Sequence, residues 1–300
     1  MVNLAVLRLI YVIVIGYCTY NHQLLQQLTD QLWYYLRSQS FFNSVYFETW
    51  YATLTYALLL QLPALMERYR YFDAYKIDIA VEFEHPTYTM IAKEAIIYII
   101  PLATLDTFVV KQYAGVPENE IISRRMTIIQ RTRALPDRPP KITQLMVHLI
   151  LALIIYDAMF FAIHLTLHRS VKLYRWFHAA HHNHPEGLQA RVTNRLTVAE
   201  RVILVLSANA SLKLIGAHPL TRVVFVPAFE WLLIENHWNY ETILSPSRIV
   251  PFEVMSGPRS HYEHHVYGTK NYAPFFKHCD HIYNCYLRFI YNQGDASKES

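Results

Sequence analysis

The chain has 300 residues, of which 53% are hydrophobic and only 17% charged, whereas soluble domains carry about 25% charged residues; the shortfall points to lipid as part of its surroundings. A net charge of +4 with no lysine-rich tract argues against a nucleic-acid partner and suits the anionic face of a membrane. Three cysteines, Cys18, Cys279 and Cys285, form no C-x-x-C pair, and seven glycines form no G-x-G-x-x-G or Walker-type loop, so neither a disulfide framework nor a thiolate zinc site is suggested and no nucleotide-binding fingerprint is present. Electrons used by this chain would therefore arrive from another protein, in a reducing compartment.

Apolar helices are predicted, in chain order, at residues 4–18, 51–66, 95–110, 144–167, 202–217 and 223–234. Crossing a membrane takes roughly 17–25 apolar residues, so 144–167 qualifies outright, and the others need flanking residues or a re-entrant course. Arg8 interrupts the first stretch and no small-residue cleavage site follows in "TYNHQLLQQL", which predicts a retained anchor over a signal peptide. Pro101 and Asp106 in the third are costly in lipid unless they face other helices, which predicts a bundle. Arg124, Arg125, Arg131, Arg133 and Arg138 place the loop at 116–141 on the cytosolic side. Arg169, Lys172 and Arg175 make the same claim across the next span, so charge alone leaves the topology open.

The stretches at 202–217 and 223–234, joined by "HPLTR", predict a helical hairpin dipping into the membrane, which returns the chain to the face it left. Histidines up to His184 and from His237 onward then share one face. The expected architecture is all-α: a multi-pass membrane helical bundle with a histidine-rich di-metal site on its cytosolic face. Residues 1–143 form N-terminal membrane helices and polar loops, 144–290 the histidine-box domain and 291–300 a disordered tail.

Nine of the sixteen histidines form a series: His164-x3-His168, His178-x2-His181-His182, a single His237, and His261-x2-His264-His265. On a helix, positions i, i+3 and i+4 share one face, so each box is expected to aim its imidazoles at one point. Packed together without a cation, imidazoles lose solvation and depress one another's pKa; metal coordination removes that cost. Nine nitrogen donors exceed the four of a structural zinc site, so two metals are expected, and imidazole suits Fe, Cu, Ni or Zn. No H-E-x-x-H is present for zinc-protease chemistry, and the boxes sit at helix ends and are too many for a haem. Lone histidines such as His22, His85, His148 and His218 read as backbone-bonded or interfacial residues.

The order HxxxH, HxxHH, HxxHH on a chain with several apolar helices resembles the membrane-bound fatty acid hydroxylase and sterol desaturase superfamily. "YRWFHAAHHNHPE" is similar to its second box, and "ENHWNYETILSPSRIVPF" with "HYEHHVYGTKNYAPFFKHCDHI" is similar to the C-terminal part of cholesterol 25-hydroxylase-like members; the resemblance covers roughly residues 156–288. It implies oxygen activation at two non-haem irons and hydroxylation or desaturation of a sterol or fatty-acyl lipid, with C-4 methylsterol oxidation or sterol desaturation as the alternative reaction. It also implies an endoplasmic-reticulum membrane location, O2 as co-substrate, a cytochrome b5-type electron donor, and His164, His168, His178, His181, His182, His237, His261, His264 and His265 as ligands. The sequence departs from the pattern at Ser247 and Ser260, where related members often carry histidine. With a tenth ligand missing at Ser247, a catalytically degenerate metal-binding protein of the same fold is the competing reading. Asp157, two turns before His164, is a candidate acceptor for that ring. His184, Asn236 and Asn271 are further candidates to support the ligands, while His278 and Asp280 are expected to fix the C-terminal helix.

Overall fold

The structure, a computed structural model, describes residues 3–70, 72–82 and 86–296, the last six through their backbone alone; His85 and residues 297–300 lie outside it. Ten helices position the site: α1 (Leu4–Tyr20), α2 (His22–Ser38), α3 (Phe47–Leu59), α4 (Gln61–Tyr69), α5 (Tyr88–Phe108), α6 (Ile142–Arg169), α7 (Val198–Leu214), α8 (Pro219–His237), α9 (Pro258–Tyr267) and α10 (His278–Ala296). Among the described residues, β pairing is limited to three isolated bridges, so the all-α expectation holds. Helix α10 runs through Ala296 and thus enters the segment expected to be a disordered tail.

Two helices are long and apolar enough to cross a membrane, α5 with mean hydropathy 1.4 and α6 with 2.2, and α1 with α2 passes the same test as one pair bent by 75°. Nothing in α1 is buried. The arginine that interrupts it has a use, however: Arg8 donates to the carbonyls of Ile249 at 3.1 Å and Arg248 at 2.9 Å, fastening the exposed helix to the bundle. The stretch expected at 51–66 is broken at Leu60, between α3 and α4. Pro63 is the cause, since it has no N–H to bond the carbonyl one turn back, yet is accepted in a first turn. Pro101 and Asp106 are buried on the inner face of α5, as their cost in lipid requires.

The chain reverses between α7 and α8, but the two helices pack on their neighbours more than on each other, α7 on α6 and α8 on α3 and α6. Tyr156 of α6 meets Phe229 of α8 edge-on, with ring centroids 4.6 Å apart, in a cluster with Phe225 and Phe275. At the turn, His218 caps α8 by accepting from the Leu220 amide at 3.1 Å while its other nitrogen bonds the Arg138 carbonyl at 3.1 Å, the backbone-bonded role expected of a lone histidine.

Near that turn a set of buried charges closes on itself. Glu48 of α3 accepts from Arg222 at 2.9 Å, Lys111 at 2.9 Å, Arg133 at 3.2 Å and the Tyr113 hydroxyl at 2.9 Å. Asp106 accepts from Thr49 at 2.6 Å and pairs with Lys111. Arg133, read from the sequence as a topology-setting surface charge, is buried and sits over the Phe42 and Phe47 rings.

Candidate metal centre

The histidines arrive at one end of the bundle from four directions. His164 and His168 occupy the last turns of α6, and His237 ends α8. The second box follows a turn of π-helix, Tyr174–His178, that runs into a short α-turn, Ala179–His182; the third lies on α9. All nine rings meet in two adjacent groups, His164, His168, His178, His182 and His264 in one, and His181, His237, His261 and His265 in the other.

This division corrects the expectation that each box aims at one point. His178 and His182 serve the first group while His181 serves the second; His261 and His265 serve the second while His264 serves the first. Helix geometry gives the reason: i+4 lies about 40° to one side of i, and i+3 about 60° to the other. The i, i+4 pair therefore converges on one centre and leaves the i+3 ring for its neighbour. His-x-x-His-His written twice thus supplies two centres from each box.

The hydrogen bonds fix which nitrogens face inward. The Nδ1 atoms of His164, His264 and His237 each lie 2.7 Å from a backbone carbonyl, those of Tyr272, Lys270 and Leu233, and His178 Nδ1 lies 2.6 Å from Glu200 Oε1. Carbonyls only accept, so His164, His264 and His237 carry their proton on Nδ1 and present a bare Nε2 lone pair; His178 does the same when Glu200, which burial raises to about 8, is ionised. Yet His178 Nε2 is 2.9 Å from His164 Nε2 and 3.0 Å from those of His168 and His182. In the second group, the His181–His237, His237–His261 and His261–His265 Nε2 separations are 3.2, 3.1 and 3.1 Å. With Glu200 ionised, the His164 and His178 lone pairs cannot hydrogen-bond each other, and His264 Nε2 is buried with no partner at all. Nitrogens bound about 2.0–2.1 Å from a shared ion, at right angles to one another, lie about 3 Å apart. Both groups therefore have the donor set and spacing to hold a metal ion.

Electrostatics agree with neutral ligands. Burial, reinforced by neighbouring imidazoles, pushes His182 and His264 down to about 3 and holds His181, His261 and His265 well below the ordinary histidine value. At neutral pH these rings are uncharged donors, the form a metal takes.

The supporting residues differ in part from those expected. Asp157 does not reach His164. Its Oδ1 accepts from the amides of Phe275 at 2.7 Å and Phe276 at 3.1 Å. Asp280 accepts from Tyr272 and Ala273, both at 2.8 Å, and Asn236 donates to the Pro274 carbonyl at 2.5 Å. Together they clamp the loop 270–276, whose own carbonyls hold His264 and His164. Asn271, at φ +57°, ties that loop to Ser260 of α9. His184 hydrogen-bonds His265 Nδ1 at 3.0 Å. Glu200 was missed because Thr197-x-x-Glu200 reads as a helix-capping box; Thr197 does cap the Glu200 amide, but the carboxylate turns to His178. Ser247 packs beside Gly257 and joins neither group, and His278 is exposed with Cys279 close by.

Comparison with known proteins follows the same segment. The fatty acid hydroxylase family model matches residues 149–285. The chain is 35% identical over 148 residues to cholesterol 25-hydroxylase of Homo sapiens, covering 49% of this chain and 54% of that one. It is likewise 35% identical over 146 residues to cholesterol 25-hydroxylase of Rattus norvegicus, covering 49% of each. Methylsterol monooxygenase 1-3 of Arabidopsis thaliana is 24% identical over 219 residues, 71% of this chain and 68% of that one. The match spans about half the length of the cholesterol 25-hydroxylases, and no solved structure matches. The segment similar to the fatty acid hydroxylase family, residues 149–285, is thus the one that holds all nine histidines of the two groups.

Proposed function

We propose that the chain is a membrane-bound, O2-dependent hydroxylase of a sterol or fatty-acyl lipid, with the nine histidines holding two irons. The observation that carries this reading is the pair of adjacent all-imidazole groups whose Nε2 atoms converge to within 2.9–3.2 Å of one another. Bound there, two irons would supply the redox chemistry for R–H + O2 + 2 e⁻ + 2 H⁺ → R–OH + H2O, with electrons from a cytochrome b5-type donor and the site on the cytosolic face of the endoplasmic reticulum membrane. The relatives' names, cholesterol 25-hydroxylase and methylsterol monooxygenase, support a lipid C–H bond as the target.

The chain's own part is to hold the donors in one protonation state and keep water out. Glu200 and the carbonyls of Tyr272, Lys270 and Leu233 fix the tautomers of four rings, and such outer contacts orient ligands and raise their basicity. The second group is buried throughout and the first at His164, His178 and His264, with His168 and His182 half-buried; burial strengthens the electrostatic interactions within each group.

Lipid profiling of cells expressing the wild type or His181→Ala, alongside iron content of the detergent-purified protein, tests the proposal. An oxygenated lipid made only by the wild type, with two irons per chain, supports it. Sub-stoichiometric metal without oxygen uptake favours the degenerate metal-binding reading, to which the serine at 247 lends its one specific support.

A further inference from the structure

A second chamber lies beside the histidine groups. Its volume is about 350 Å³, within the range of lipid-sized pockets, roughly 300–1,000 Å³. It is walled by α3, α5, α7 and α8. Its α8 wall runs from Arg222 to Leu233 and its α7 wall from Arg201 to Lys213, each about 16–18 Å long. The helices are antiparallel, so Arg201 and Leu233 mark one end and Arg222 with Asn209 the other. The middle is apolar, with Leu102, Leu204, Ala208, Val226 and Phe229 among its lining; Val109 and Leu206, also lining it, are exposed and give it an apolar mouth.

The two ends differ. At the Arg222 end, Arg222, Lys111 and Arg133 each have a carboxylate partner in Glu48 or Asp106, and Lys213 is exposed to solvent. At the other end, Arg201 is buried, 3% exposed, and makes no ion pair among the described residues. Its guanidinium donates to the Asn194 carbonyl at 2.9 Å and lies over the Tyr98 ring at 5.2 Å, while Nε has no partner. The Tyr56 hydroxyl, lining the same end, is a second donor without a hydrogen bond, while Asn194 Oδ1 is an unpartnered acceptor that a carboxylate does not fill. The carboxyls nearby are otherwise engaged, Glu200 with His178 and Glu230 with Thr55 and Tyr98. A guanidinium does not deprotonate, and a buried charge left unpaired is strongly destabilising. A hydroxyl would satisfy the Nε–H and leave the charge; a carboxylate satisfies both.

We propose that this chamber binds an acidic lipid, its carboxylate held by Arg201 and Tyr56 and its hydrocarbon extending toward Arg222. No histidine lines the chamber. Leu233, whose carbonyl holds His237, stands at the Arg201 end, so the carboxyl end of the lipid lies toward the metals. What then happens to that lipid rests on the function proposed above; its binding does not.

The test is saturation binding of tritiated palmitate and tritiated cholesterol to the detergent-purified full chain, in EDTA so that metal plays no part. Saturable palmitate binding is expected, weakened about tenfold or more by Arg201→Gln, partly restored in Arg201→Lys, abolished by chamber-filling Ala208→Trp, and retained in His181→Ala. Palmitate binding indifferent to Arg201→Gln, or persisting in Ala208→Trp, overturns the assignment, as does cholesterol displacing palmitate at lower concentration. If Arg201→Gln does not fold, Ala208→Trp and the competition decide. Oxygen uptake absent from the wild type while Arg201-dependent palmitate binding persists would defeat the hydroxylase reading alone.

Discussion

The two ends of α8 bury polar groups in opposite ways. Around Arg222, acid meets base: Glu48 takes hydrogen bonds from three cations and a tyrosine, so that each cation has a carboxylate partner. Around His237, donor meets donor: nine imidazoles turn like atoms toward each other, and one Nε2 in their midst touches nothing. Complementary burial holds a fold together, whereas like-with-like burial has to be completed from outside. That contrast separates the structural cluster from the functional one without appeal to any relative.

The contrast breaks first at Glu48. Replacing it by alanine leaves Arg222, Lys111 and Arg133 facing one another, and a loss of about 3–5 kcal/mol in folding stability is expected, read as a lowered thermal midpoint in detergent. Iron bound per folded chain should not change. The reverse experiment is metal removal. A ligand present at about 100 times its Kd stabilises by about 2.7 kcal/mol, so chelation should lower the midpoint of the wild type, and of the Glu48 variant by a similar increment. Equal midpoints with and without metal would mean the histidine groups need no ion.

Glu200→Gln keeps the shape beside His178 but removes the carboxylate. Metal affinity should fall about 10–100-fold with the midpoint of the metal-free protein little altered, measured by competition with a coloured chelator. The smallest effect is expected at His184→Ala, which deletes one hydrogen bond to His265 worth about 0.5–1.5 kcal/mol. A loss confined to one of the two ions, seen in metal titration, would tie His184 to the second group.

Much of this was legible in the sequence. The nine histidines stand out by spacing, because helical neighbours at i+3 and i+4 are written close together, and the hairpin that brings His184 and His237 to one face shows in its two apolar runs. What escaped has no local signature. The Glu48 cluster draws on positions 48, 106, 111, 133 and 222, which no periodicity connects. Glu200 carries a signature that speaks for something else, the cap of its own helix. Asp157 was correctly singled out but for the wrong partner, since its seven-residue offset from His164 fixes a helical face and says nothing of a loop arriving from residue 275. The Arg201 chamber was illegible for the same reason, its unpaired charge being visible only once the neighbours that fail to answer it are in place.

The loop 270–276 has a consequence for how the protein is made. It orients His164, a residue synthesised more than a hundred positions earlier, through the Tyr272 carbonyl, and it is itself pinned by Asp157 and Asp280 on either side of it in the chain. A nascent polypeptide emerging from the ribosome can insert its helices and bring most of its histidines together, yet the first group keeps an unsteered ring until nearly the whole chain has been translated. An ion held there as proposed would be loaded late in biogenesis, and products of premature termination before Tyr272 would lack the carbonyl that steers His164.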